Sequence, residues 1–234
     1  MAVTPEQLTE NTISVLDHGF VALDGALASD LAVVNGARVS FNQASDEMTE
    51  RDGGLIRFLM REGHGSPFEH GYFRFIVKAP LFVVREHHRH RAGHSYNEWS
   101  GRYSKMEPEF YVPDYVRTQV GKPGAYSFEP VDDVTRRAAQ GEIEESATRA
   151  FQAYERMLEQ GVAKEVARAV LPLSTYTKYY WSCNPRSLMH FCSLRNHEAA
   201  QYEIQQYASA AESFLERLMP ITHAAFVERG RVAP

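Results

Sequence analysis

Apolar positions recur every three to four residues over much of this chain, and that spacing predicts helices. In "GEIEESATRAFQAYERMLEQG" Ile143, Ala147, Ala150 or Phe151, Tyr154 and Leu158 share one face, which predicts a long amphipathic helix. "EAAQYEIQQYASAAESFLERLM" predicts the longest C-terminal helix. "SDLAVVNGARVSF" opens on a capping residue, Ser29 or Asp30, and "MTERDGGLIRFLMREG" stops at Gly63, so both read as helices. Pro80 at a first helical position predicts a helix over "PLFVVREHHRHR", ended by Gly93. "KEVARAVLP" reads as a short helix ended by Pro172, and Asn184-Pro185 opens another over "PRSLMHFCSLR".

Strand signals are fewer. "TISVLDHGFVAL" gives one or two strands, "YFRFIVK" a strand whose alternation Ile76 breaks, and "STYTKYYWSC" a β-branched and aromatic strand. "GRYSKMEPEFYVP" also reads as a strand. Residues 113–130, with three prolines and two glycines, read as an excursion loop. Strands and helices mix without a βαβα alternation, so the expected class is α+β, a mixed or antiparallel sheet flanked by helices. No period of 20 to 50 residues marks a repeat protein. Residues 1–11 read as a flexible polar tail, and 12–234 as a single domain.

The net charge of -5 gives no global attraction for nucleic acid or an anionic membrane. "MAVTPEQLTENT" has neither a basic nor an apolar signal region, so a cytoplasmic location is expected. Cys183 and Cys192 sit beside bulky apolar residues and read as buried free thiols in a reducing compartment.

Against that acidic background, residues 85–102 gather four arginines (85, 89, 91 and 102) and four histidines (87, 88, 90 and 94), opposed only by Glu86 and Glu98. Arg85 and Arg89 would share a helix face, where like charges repel unless an anion bridges them. Guanidinium forks suit phosphate and carboxylate, so one reading is an anion site, most plausibly for phosphate. A solvated basic helix end is a second reading. A metal held by His87, His90 and His94, spaced for one helical face, is a third, although the arginines would repel a divalent ion. "HGSPFEH" offers either a capping box between Ser66 and Glu69 or a ligand-contacting loop with His64. Arg168 and Arg195 interrupt apolar helices, so each must be paired, snorkel or meet a ligand. Ser100 reads as a hydrogen-bonding group before a nucleophile. The sequence lacks GxGxxG after a strand, GxxxxGK[ST] and GxSxG, so any dinucleotide is held by another device.

"RHR" followed by "SYNEWSGRYSK" resembles the signature of the flavin-dependent thymidylate synthases, RHRxxSxNExSxRY. "LDHGFVAL", "ARVSF", "HGSPFEH", "VKAPLFVVRE", "EFYVP", "EVARAVLPLSTYT", "WSCNPRSL" and "EIQQYA" resemble family segments in the same order, over roughly residues 12–226. The resemblance implies an α+β homotetramer of the thymidylate synthase-complementing-protein type, with sites built between subunits. It implies conversion of dUMP to dTMP, with 5,10-methylenetetrahydrofolate as carbon donor and NADPH as reductant through non-covalent FAD. No metal and no cysteine nucleophile are implied.

By the same resemblance Ser40, Ser66, Arg89, His90, Arg91, Glu98, Asn184, Arg186 and His190 face FAD. Glu86, Arg89, Glu98, Ser100, Gly101, Arg102, Arg168 and Arg195 face dUMP. Arg195 matches the arginine that favours ionisation at uracil N3, a sensible task for a guanidinium that stays protonated. His64 matches a histidine of the folate and nicotinamide region. Three features depart from the family pattern: three residues separate Arg91 from Ser95, Glu86 stands where glutamine is common, and His190 stands where asparagine is common. Rival readings are a metal-dependent nucleotide phosphohydrolase using residues 87–94 and a non-enzymatic nucleotide-binding module.

Overall fold

The computed structural model describes residues 10–123 and 125–234, so most of the expected N-terminal tail lies outside the described residues. In chain order the elements are β1 (Thr12–Val15), β2 (Gly19–Leu27), α1 (Asp30–Arg38), α2 (Glu50–Arg61), β3 (Tyr72–Pro80), α3 (Leu81–His87), β4 (His94–Glu98), β5 (Arg117–Lys122), β6 (Ala125–Pro130), α4 (Asp133–Glu159), α5 (Lys164–Ala167), β7 (Tyr176–Cys183), α6 (Pro185–Arg195), α7 (Tyr202–Leu218) and α8 (Pro220–Glu228). Five strands form one antiparallel sheet in the order β1-β2-β3-β7-β4, and β5 and β6 form a separate hairpin. The α+β expectation holds, and the sheet is antiparallel throughout.

The register places the core. Phe73, Phe75 and Val77 on β3 stand opposite Cys183, Trp181 and Tyr179 on β7, so alternate residues of both strands turn the same apolar face inward. Helices α6 and α7 cover that face, with Phe191 against Trp181 and Phe214 against Phe75. Each fully buried ring contributes on the order of 1.5–3 kcal/mol. A second, smaller cluster of Met106, Phe151, Tyr154 and Ala167 forms where α4 and α5 meet the chain after β4. Both cysteines are buried free thiols, and burial raises their pKa well above the ordinary thiol value. No helix among the described residues is long and apolar enough to cross a membrane.

Local signals set the helix starts. Ser29 caps α1 by accepting from the Ala32 N–H, and Asn184 caps α6 by accepting from the Ser187 N–H. Helix α4 begins earlier than its apolar face predicts, because Asp132 caps it at Val134 and Thr135. Helix α8 carries no amphipathic pattern that the sequence reading detected; buried Asp30 fixes its start by accepting from the Ile221 and Thr222 N–H groups.

Four expectations are corrected. Pro80 closes β3 and caps α3 instead of opening it, and α3 ends at His87, a turn early. The Tyr96 hydroxyl donates to the His87 and His90 carbonyls there, satisfying groups that a longer helix would have used. "GRYSKMEPEFYVP" is not a strand: the Met106 N–H donates to the Tyr154 hydroxyl, and only an isolated bridge joins Phe110 to Thr175. The adjacent strand is instead β4, upstream. Residues 113–130 hold the β5–β6 hairpin, tied to the body by Arg117, which grips Glu203 through both terminal nitrogens at 3.0 and 2.9 Å. The Ser66–Glu69 capping box is absent: Gly65 takes the cap position without a side-chain bond, and Glu69 pairs with Arg186.

Gly19 starts β2 with no room for a side chain. A Cβ there would lie 2.0 Å from the Tyr207 hydroxyl, 2.6 Å from the Val15 carbonyl and 2.8 Å from the Lys78 carbonyl. Two of those atoms are backbone, so relief requires moving strands. Gly19→Ala is expected to lower stability to urea by about 2 kcal/mol or more. Gly54→Ala, in α2 with nothing within 4 Å, is expected to raise it by up to about 1 kcal/mol.

Candidate active site

The arginine and histidine cluster expected along one helix is divided among α3, the turn after it and β4, and the expected helix α6 packs against it. His87, the last residue of α3, points into the core: its Nδ1 lies 2.7 Å from the Tyr179 hydroxyl and its ring packs on Phe191. Burial above all, then neighbouring His94 and His90, holds it well below the usual imidazole pKa. The proposed face of His87, His90 and His94 is not formed, because α3 stops and His94 belongs to β4. Among the described residues no three His, Cys, Asp or Glu side chains converge as a metal-holding group.

After α3 the chain carries Arg89 and Arg91 outward and His90 inward. Among the described residues neither exposed arginine has a carboxylate within ion-pair distance. A cavity of about 360 Å³ is lined by Arg89, His90, Arg91, His94, His190 and Arg195. It adjoins a second, of about 580 Å³, lined by Asn184, Arg186, Ser187, Glu69 and the C-terminal Ala233 and Pro234; Ala92 and His190 line both. Helix α6 therefore contributes at both ends, Asn184 and Arg186 at its start and Arg195 at its last turn.

Two of these arginines are held internally. Arg186 donates from Nε to the Pro234 carbonyl at 2.7 Å and pairs with Glu69. Arg195 pairs with the Glu86 carboxylate at 3.0 Å and donates from Nε to His90 Nε2, also at 3.0 Å. His90 must accept, so it is neutral with its proton on Nδ1. Burial, followed by the Arg195 charge, lowers its pKa to about 4. His94 is also neutral, accepting at Nδ1 from Trp181 Nε1 at 2.9 Å; burial first, then His190, lowers its pKa to about 4. Burial raises the Glu86 pKa, against the pull of Arg195 and Arg89.

A second group lies beyond the other end of β4. Glu98 accepts from the Thr177 hydroxyl at 2.8 Å, and the Ser100 hydroxyl accepts from the Arg102 N–H at 3.3 Å. Arg102 pairs loosely with Glu165 at 3.4 Å. Gly101 is buried: a Cβ there would lie 2.7 Å from Met106 Sδ and 3.5 Å from Arg168 Cδ. Arg168, just after α5, is exposed. None of Glu98, Ser100, Gly101, Arg102 or Arg168 lines the cavities by Arg195. The intervening strand, from His94 to Glu98, is about 13 Å long at roughly 3.3 Å per residue.

Ser40, Ser66 and His64 line neither cavity. Ser40 is exposed in a turn after α1, and Ser66 opens the short turn that ends in Glu69. His64 packs edge-on against Phe58. No signal in the sequence marks Tyr96 and Trp181, which anchor the α3 carbonyls and His94, or marks Glu69 as the partner of Arg186; all three act by partnership across the fold, which no local spacing shows.

The low pKa values of His90 and His94 have a consequence for stability. In an unfolded chain both imidazoles titrate near 6.5. Between about pH 6.5 and 4 the unfolded state therefore binds protons that the folded state refuses, so stability falls as pH falls through that window. The urea midpoint is expected to be lower at about pH 5 than at about pH 7.5, and His94→Gln to reduce the difference. An unchanged difference in that variant would remove His94 as a source.

A model of the family described as "Thymidylate synthase complementing protein" matches residues 23–221. The flavin-dependent thymidylate synthase of Streptomyces coelicolor is 48% identical over 228 residues, covering 92% of this chain and 93% of that protein. The Tropheryma whipplei protein of the same name is 45% identical over 243 residues, covering 98% of each. A crystal structure of a UMP/dUMP methylase from Streptomyces cacaoi, bound with 5-Br dUMP, superposes with a TM-score of 0.87 at 43% identity, covering 95% of this chain and 100% of that one. On the family match and on both relatives, the chain belongs to the thymidylate synthase complementing proteins, the flavin-dependent thymidylate synthases.

Proposed function

We propose that this enzyme methylates dUMP to dTMP reductively in the cytoplasm, taking the carbon from 5,10-methylenetetrahydrofolate and the reducing equivalents from NADPH through non-covalent FAD. The observation that carries the proposal is the pair of adjoining cavities joined along α6, with Arg89 and Arg91 at the mouth of one and Asn184 and Arg186 in the other. Exposed guanidinium forks free of carboxylates suit a pyrophosphate, and two adjoining cavities suit the two halves of a dinucleotide. Arg89, His90, Arg91, Asn184, Arg186 and His190 would hold FAD, with Ser40, Ser66 and Glu98 completing its surroundings. Bound flavin would supply the redox chemistry. The solved methylase relative carries a dUMP analogue, which supports a pyrimidine nucleotide as substrate.

Arg195 is the residue assigned to catalysis. Its partly buried guanidinium would stabilise negative charge developing on the uracil ring. Glu86 and Arg89 stand beside it; Glu98, Ser100, Gly101, Arg102 and Arg168 make up the rest of the dUMP set. The length of β4 separates these two halves in one chain. A homotetramer in which one copy presents the Arg195 half and another the Arg168 half would join them. His64 is assigned to the folate and nicotinamide side. The metal-dependent phosphohydrolase reading loses support because His87 serves packing and His94 takes a bond from Trp181. The non-enzymatic nucleotide-binding reading does not account for a half-buried arginine held by Glu86 and His90 in the wall of the first cavity.

Purified protein is expected to be yellow, to bleach with NADPH, and to make dTMP only with dUMP and methylenetetrahydrofolate present; UMP belongs in the same assay. Reconstituted protein that stays colourless and shows no dUMP- and folate-dependent NADPH oxidation would overturn the reading. Arg195→Ala is expected to lose roughly 100-fold or more in turnover while keeping flavin colour. Ser100→Ala is expected to retain measurable turnover, since it loses one ligand hydrogen bond.

A further inference from the structure

We infer that Glu86 is the positioning residue for Arg195, holding its guanidinium toward the cavity and setting how much of its positive charge a nucleotide meets. This rests on the reading of Arg195 as the uracil-facing group. Glu86 grips Arg195 twice: the carboxylate accepts from one terminal nitrogen at 3.0 Å, and the Glu86 backbone carbonyl lies 3.5 Å from the other. His90 Nε2 takes the Nε–H at 3.0 Å. Three contacts from one turn of chain fix the plane of the guanidinium, and His90 and Arg195 both line the first cavity.

The pair is partly enclosed, with side-chain exposures of 16% for Arg195 and 24% for Glu86. An ionised Glu86 therefore cancels much of the Arg195 charge at short range, where solvent screens it incompletely. The other groups that act on Glu86 are Arg89, on the turn after α3, and Glu203, on α7. Glu203 is itself neutralised by Arg117, and Arg85, His87, His88 and His90 complete the charged and titratable groups of that turn. The carboxylate thus does two separable things, accepting a hydrogen bond and carrying a charge. Glu86→Gln keeps the acceptor and removes the charge. Glu86→Ala removes both.

Crystal structures of the two FAD-loaded variants read the first task without reference to turnover. The Arg195 guanidinium is expected to stay beside residue 86 in Glu86→Gln and to swing away in Glu86→Ala; an unmoved guanidinium in Glu86→Ala overturns the inference. Should Glu86→Ala fail to fold, an Arg195 that leaves its place in Glu86→Gln overturns it equally. In turnover, Glu86→Gln is expected to exceed Glu86→Ala by about tenfold or more, with flavin colour retained in both. Equal loss in both would show that the hydrogen-bond acceptor at residue 86 does not place Arg195, which contradicts positioning.

Calorimetric titration with dUMP reads the second task. Near pH 8 Glu86→Gln is expected to bind dUMP roughly 3- to 10-fold more tightly than the natural chain. Burial raises the Glu86 pKa, so on acidification the natural carboxylate gains its proton earlier than an exposed one does, and the ratio of the two affinities is expected to be smaller at about pH 5 than near pH 8. That ratio cancels the titration of the nucleotide phosphate and of every group the proteins share. A ratio that stays at one at both pH values overturns the charge role. Absence of dUMP binding to either protein, with Arg195 placed as expected in the structures, would instead count against the substrate assignment.

Discussion

The pairing of β4 onto β7 is the contact on which the site depends. Strand β7 is paired on both sides, to β3 through the core register and to β4 through His94↔Cys183 to Glu98↔Tyr179. Because β7 is locked by buried Tyr179, Trp181 and Cys183, β4 can lie in one register only, with Tyr96 across from Trp181. That register brings the Tyr96 hydroxyl to the carbonyls that end α3 and brings His94 to the Trp181 indole. Ending α3 at His87 then turns Arg89 and Arg91 away from the body while His90 stays inside. Slipping β4 by one residue would undo all of these together.

Charge placement follows the same frame. The chain is acidic overall, so cationic groups that are free of partners stand out. Arg117, Arg186 and Arg195 each have a carboxylate within bonding reach, Glu203, Glu69 and Glu86. Arg89 and Arg91 do not among the described residues, and they flank the first cavity. The paired arginines have fixed positions, which suits orientation of a ligand. The unpaired ones offer charge, which suits holding an anion. Neutral His90 and His94 line the wall between them, so the cavity does not accumulate further positive charge near neutral pH.

Much of this was legible in the sequence. Ser29, Gly63 and Asn184-Pro185 marked helix ends correctly, because capping chemistry is local. Strands β3 and β7 were legible through their aromatic and β-branched residues. Strand β4 was not: "HSYNE" carries one apolar side chain, and its conformation comes from β7 beside it. The β5–β6 hairpin hid behind Pro113, Pro123 and Pro130, which do not interrupt the ladder from Arg117↔Pro130 to Lys122↔Ala125. In the candidate site, residue types pointed to an anion, and family resemblance named the residues. What neither gave was the division of the dUMP set into two groups, nor the partners Glu69, Glu86 and Tyr96, since those follow from which elements meet in space.

In the proposed homotetramer the Arg195 half and the Arg168 half of one site come from different copies of the chain. Mixing two inactive variants tests it directly: Arg195→Ala and Arg168→Ala are each assayed alone, then unfolded together in equal amounts, refolded with FAD and assayed again. A site shared between copies predicts recovery of up to about a quarter of the natural activity, because that fraction of sites unites two intact halves. No recovery from a refolded, flavin-loaded mixture would contradict the account and place both halves in a single chain.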